Sequence, residues 1–180
     1  MILVTLRTAI IDAIATALPQ LKEVKAHGGR FSLEELKAIA ARSPSVRVAC
    51  LGVARILPGA ACVTAETVWG VFVIAGAAAQ QSRDAAALAL VAAIAPLVPL
   101  STWGLETQVN GAEEVRGDNL FSRDIDRQGV AMWAITFRHT VDLNPVDVAT
   151  LDDFLLLHVD YDHNQDDSVD MTDDVVFDGP

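Results

Sequence analysis

The first eighteen residues place apolar side chains at helical intervals: Ile2, Leu3, Leu6, Ile10, Ala13, Ile14, Ala17 and Leu18, with Arg7, Thr8, Asp12 and Thr16 between them. That spacing predicts an amphipathic helix stopped by Pro19. Leu21–Ala26 alternates briefly and is expected as a strand ending at the flexible pair Gly28-Gly29. Ser32 and Glu35 have the spacing of a capping box, so a second helix begins at Ser32 and runs toward Arg42, with Pro44 barring its continuation.

Two strands should follow. Val46–Ile56 is rich in β-branched residues, and Thr67–Ile74 reads TVWGVFVI, apolar on both faces. A strand with two apolar faces belongs in the middle of a covered sheet. The turn signal Pro58-Gly59 lies between them, so they are expected to pair antiparallel. Ser82–Ala95 is nearly all Ala, Leu, Val and Ile, which suits a helix laid closely on that sheet. Trp103–Gln128 is less regular, with a candidate strand at Glu113–Arg116 and an irregular loop marked by Gly117, Asn119 and Asp126. Val130–Leu143 alternates cleanly: Trp133, Ile135, Phe137 and Val141 face one side, and Met132, Ala134, Thr136 and Arg138 the other. Trp133 and Phe137 are the expected aromatic core. Asn144-Pro145 ends that strand, and Leu151–Tyr161 starts with a helical turn near Asp152-Asp153 and continues extended through LLLHVDY. The order of elements predicts an α+β fold, an antiparallel or mixed β-sheet with helices packed mainly on one face. With no repeat and no linker, residues 1–163 read as a single α+β domain and residues 164–180 as an acidic C-terminal tail.

Composition adds two constraints. At 180 residues, 52% hydrophobic and 21% charged, the chain has the makings of one ordinary globular domain. Its formal charge of −11 is unevenly placed. Residues 1–146 carry thirteen Lys and Arg against thirteen Asp and Glu, while the remaining thirty-four residues hold eleven Asp and no Glu, Lys or Arg. Electrostatics therefore disfavours a membrane surface or sequence-specific nucleic acid as partner. The segment Asp147–Asp178 is expected to stay solvated or to meet a basic partner surface. The longest apolar stretch, Ala85–Leu100, has sixteen residues and is broken by Pro96 and Pro99, short of the ~20 a spanning helix needs. Met1–Leu18 lacks the basic cluster of a secretory signal, so a cytosolic chain with reduced thiols at Cys50 and Cys62 is expected.

Several motifs are candidates for chemistry. Asp160, Asp162, Asn164 and Asp166 alternate as in the start of an EF-hand loop, but Gln165 stands where glycine makes the turn and Met171 where a bidentate glutamate should close the shell. A hydrophobic eighth position is replaced by Asp167. Cys50 and Cys62 match no CxxC pattern and read as small apolar residues on neighbouring strands. His27, His139, His158 and His163 form no HExxH pair, and His139 alternates with core positions as a hydrogen-bonded structural histidine would. There is no GxSxG elbow, and Gly28-Gly29-Arg30 is a turn into a helix rather than a phosphate loop. No residue is assigned a catalytic, cofactor-binding or metal-binding role, and an enzyme is not expected.

Two stretches carry a resemblance. EVRGDNLFSRDIDRQGVAMWAITFRHTV, residues 114–141, runs from an asparagine-containing loop into a long strand, and LDDFLLLHVDYD occupies residues 151–162. With the N-terminal helix and the Ala-rich middle helix, they resemble the small tail-assembly protein family of Mu-like phages and prophages, and the element order is similar to tail terminator proteins of long-tailed phages. The resemblance implies a structural virion protein of the tail or neck, assembled in the host cytoplasm without cofactor or metal. It implies a tail terminator, that is, a tail-completion protein acting in head-tail joining. Such a protein forms a homohexamer ring on the head-proximal end of the tail tube and stops tube polymerisation. Its implied partners are further copies of itself, the tail tube protein, a neck or head-completion protein and the sheath protein, with genomic DNA passing through the ring. A head-completion or neck connector protein is the nearest alternative, and a bacterial enzyme or small-ligand binder the more distant one.

Overall fold

The computed structural model describes residues 1–59, 62–77 and 81–143, together with the backbone of two short strands at 156–161 and 171–176. The chain divides into two units, Met1–Pro145 and Val146–Pro180.

In the first unit the sequence signals become elements close to their expected bounds. Helix α1 spans Ile2–Ala17 and buries Leu6, Ile10 and Ile14, one stripe at helical spacing. Strand β1 is Glu23–Ala26. Helix α2, Leu33–Ala40, is capped by Ser32: its hydroxyl accepts from the Glu35 N–H while the Glu35 carboxylate accepts from the Ser32 N–H, closing the capping box. Strands β2, Ser45–Pro58, and β3, Val63–Gly76, both exceed their sequence-based bounds. Helix α3, Arg83–Ile94, starts at the N-cap Ser82 and continues into a 3-10 turn at Ala95–Leu97. Strand β4 is Glu113–Asn119, helix α4 Arg123–Arg127 and strand β5 Val130–Asp142.

The strands form one mixed sheet in the order β1-β2-β3-β5-β4, with β1 parallel to β2 and every other pair antiparallel. TVWGVFVI thus occupies the central strand. One face carries the larger core, where Leu6, Ile10 and Ile14 of α1 and Ala87, Leu90 and Ile94 of α3 meet Val46, Trp69, Val71, Ile135 and Phe137. The other face has a smaller core in which Leu36 and Ile39 of α2 cover Ala49, Phe72, Met132 and Ala134, with Ile125 of α4 against it. The two long helices therefore share a face. Gly70, at the middle of β3, leaves room for its neighbours: a Cβ there would lie 3.0 Å from Leu51 Cδ1 and 3.1 Å from the Phe72 ring.

Strand β5 separates its faces as its alternation predicts, with Ile135, Phe137 and Val141 in the larger core and Met132 and Ala134 in the smaller. Phe137 is fully buried, whereas Trp133 is half-buried at the margin. The region expected to be an irregular loop is ordered instead. Gly117 and Asn119 pair with Ile135 and Trp133 as part of β4, and Asp126 lies in α4, whose N-terminus is capped by Ser122. β4 is recruited by pairing with β5, a long-range effect that weak local β propensity does not reveal.

In the second unit, β6 spans Leu156–Tyr161, extended as LLLHVDY predicts, and pairs antiparallel with β7, Met171–Val176. The expected helical turn at Asp152-Asp153 lies outside the described residues. Part of the segment read as an acidic tail is thus the second strand of a ladder.

Candidate functional site

Three polar constellations stand out within the first unit. The most buried is centred on His139 of β5, which faces the larger core. Trp103 Nε1–H donates to His139 Nε2 at 2.9 Å, and His139 Nδ1 lies 2.7 Å from the Asn110 carbonyl oxygen. That carbonyl can only accept, so Nδ1 carries the proton and the ring is neutral. Burial lowers the pKa of His139, outweighing the opposite effect of the Asn110 bond. Alongside, Thr67 Oγ1–H donates to the His139 carbonyl oxygen, and Trp69 Nε1–H donates to Thr67 Oγ1. Both ring nitrogens of His139 are engaged, so it offers no free site to a substrate. It is a structural histidine, as its position on an alternating strand suggests.

The second is centred on Glu23 of β1, bridged to Lys25, Arg42 and Arg47. The hydrogen bond from Lys25 leads in pulling the Glu23 carboxyl down to about 2; desolvation opposes it and Arg47 reinforces it. Arg47 is buried and also donates to the Val46 carbonyl oxygen, so this cluster ties β1 and β2 to the loop after α2. The third joins α3 to α4: Arg83 binds the Asp126 carboxylate and donates to the Asp126 carbonyl oxygen. All three sit between elements and fasten them together.

Among the described residues the remaining motifs gather into no site. Cys50 on β2 and Cys62 before β3 are free, half-buried thiols. Gly29 turns with φ +87°, its N–H donating to His27 Nδ1, and leads into α2 as expected. Asp160 and Met171, the ends of the EF-hand comparison, lie in β6 and β7, and the positions between, 162–170, lie outside the described residues. Among the described residues no three His, Cys, Asp or Glu side chains are grouped to hold a metal, and no helix is long and apolar enough to cross a membrane.

What the structure adds lies on the surface, at the two open edges of the sheet. β1 pairs with only Ser45–Val48 of β2, so among the described residues β2 has beyond them a neighbour on one side alone. There Leu51, Val53, Ile56 and Leu57 are exposed, with Ile56 at 59%. The β2–β3 register shifts at Leu51 and Ala54, so this arm is twisted as well as bare. At the other edge β4 pairs, among the described residues, only with β5, and most of its side chains, including Glu113, Glu114, Arg116 and Asp118, are exposed. Two of the three non-glycine residues with left-handed backbone among those described, Leu100 (φ 60°) and Glu114 (φ 50°), lie on this side. Such strain is commonly kept where a surface has work to do. Neither edge follows from the local sequence pattern. The available signal was the run of apolar residues past Cys50, more than one covered face requires.

With this geometry in hand, comparison with known proteins gives one positive result. The family model described as "Bacteriophage Mu, Gp37" matches residues 2–141, from α1 through almost all of β5. No curated protein matches the chain.

Proposed function

Since the chain belongs to the bacteriophage Mu Gp37 family, we propose that it is a tail terminator, a ring on the head-proximal end of the tail tube that stops tube growth and joins the tail to the neck. Family membership itself suggests a phage structural or assembly protein, associated with the virion. The finer reading is carried by one observation: the conspicuous polar clusters of the first unit are spent on fastening elements, while two bare sheet edges are presented outward. That is the economy of a subunit built for contacts rather than turnover. Its partners on this reading are further copies of itself, the tail tube protein and a neck protein. Eleven aspartates in residues 147–180 give it a negative segment that suits a channel carrying DNA, where like charge prevents sticking.

Virions labelled on this chain and imaged by negative stain should show label at the head-proximal end of the tail, in contact with the tube. A phage lacking the gene should yield heads and unjoined tails with tubes of irregular length. Normal-length tails firmly joined to heads would overturn the assignment, and label confined to the portal side would make the protein a head-completion component.

A further inference from the structure

We propose that the β4 edge of one copy pairs antiparallel with the free arm of β2, Leu51–Pro58, in the next copy, so that the sheet runs on from subunit to subunit. The inference rests on the ring reading and names the surface that closes it. Length agrees, since β4 has seven residues and the arm beyond the half-buried Cys50 has eight. Direction agrees as well. β2, β3, β5 and β4 are successively antiparallel, so β4 runs opposite to β2. Through β5 and β3, β4 is level with Val46–Gly52, so the ring axis must be tilted to the strands; such a rotation staggers neighbouring sheets along the strands and sets β4 antiparallel to the β2 arm of the next copy, using the backbone groups that each edge leaves unpaired.

The side chains match in kind. The arm's exposed Leu51, Val53, Ile56 and Leu57 need apolar cover, and β4 is bracketed by Leu100, 80% exposed, and Phe121, 71% exposed. Leu100 is held at one end of β4 by its N–H to the Ala112 carbonyl oxygen, and Phe121 follows Asn119 by two residues at the other. Charge selects the same pairing. The arm carries one charge, Arg55, which also binds Glu66, and no acid. β4 carries Glu113, Glu114 and Asp118 against Arg116. Glu114 is held by Arg138, but Glu113 and Asp118 have no ion-pair partner among the described residues. An edge paired with its own kind would set acid against acid at β4, whereas unlike edges attract. A contact between two different patches is heterologous, and heterologous contacts generate rings when the rotation closes.

A charge swap on the full chain tests this. Arm variant Val53→Asp/Ile56→Asp sets acid against an acidic β4, and edge variant Glu113→Arg/Asp118→Arg sets base against the Arg55 side. By sedimentation velocity the wild-type chain should assemble, and each variant alone should associate at least about tenfold more weakly. An equimolar mixture should regain wild-type size as alternating rings, because every contact in it is again complementary. All four side chains are exposed, so thermal melts should match the wild type. If aspartates on the arm impair folding, Ile56→Ser/Leu57→Ser serves in their place for the loss of assembly. Either variant assembling like wild type, a mixture that fails to recover, or a wild-type chain monomeric at every concentration and salt overturns the edge pairing. The tail assignment stands or falls separately, on the labelled virions.

Discussion

Strand β2 is two regions in one element. Ser45–Ala49 is wholly buried and Leu51–Pro58 is wholly exposed, although both halves are apolar in composition. The difference lies in what covers them. The first half is flanked by β1 and lies under α1, and Val46 and Val48 join the larger core. Among the described residues the second half has only β3 beside it. Apolar composition therefore does not mark core in this chain; cover does. The uncovered half has the make-up of a core strand still awaiting its second neighbour. Removing side chains from the two regions should have opposite consequences, on folding in one and on association in the other.

The largest effect should come from the covered region. Phe137→Ala empties the centre of the larger core, where the ring is 1% exposed and meets His139 edge-on at a centroid distance of 5.4 Å. Truncating a buried aromatic costs about 3–5 kcal/mol, a large share of a domain's typical stability of about 5–15 kcal/mol. Urea denaturation of any soluble mutant should show this loss. An unchanged midpoint would mean that the covered region is not the stabilising one.

Next comes the polar hub within that core. Trp103→Phe leaves His139 Nε2 without its donor, and an unsatisfied buried acceptor costs about 1–3 kcal/mol. The same hub gives a pH dependence of fixed sign. His139 has a lowered pKa in the folded chain, so the unfolded chain binds more protons. Stability is then complete above the ordinary histidine pKa of about 6.5 and declines as pH falls below it toward the folded value. Melting temperatures measured from pH 8 to 5 should fall on the acid side, and His139→Gln should flatten that slope. Glu23 acts lower on the scale. Its folded pKa is about 2 against an ordinary 4.5, so its contribution is intact above 4.5 and lost between 4.5 and 2. The two losses set in at different pH, below about 6.5 for His139 and below 4.5 for Glu23, which separates the onset of the hub from that of the β1 cluster.

A smaller loss is expected at a boundary of the fold. Ser32→Ala removes the hydroxyl that accepts from Glu35 N–H and breaks the capping box of α2, at a cost of about 1 kcal/mol. This element also shows how much could be read in advance. The cap, the period and the stop at Pro44 are local chemistry, so α2 was legible, as were α1, α3 and the two faces of β5. The pairing of β4 was not, because EEVRGDN has little strand propensity and takes its form from β5. Helix α4 is only five residues, RDIDR, and Ile125 is its one apolar side chain. The candidate surface was less legible still. Exposure of Leu51–Leu57 depends on β1 being just four residues long; the arm's own apolar run signals surplus apolar surface but not that β1 leaves it uncovered.

The smallest effect on stability should come from the bare half of β2. Ile56 and Leu57 are 59% and 37% exposed, so replacing both with serine removes much less buried area from the monomer than emptying a core position does. Surface changes of this kind usually stay within about 0.5 kcal/mol, and the urea midpoint of Ile56→Ser/Leu57→Ser should match the wild type. Exposed apolar edges normally carry charge, proline or short length to prevent sticking. Here the arm has one charge, Arg55, already bound to Glu66 at 2.6 Å, and a proline only at its tip. The double serine variant should therefore be more soluble and less associated at high concentration, while folding as before. A drop in stability as large as that of Phe137→Ala would show that the arm is packed in solution. The division of β2 into a core half and a contact half would then fail.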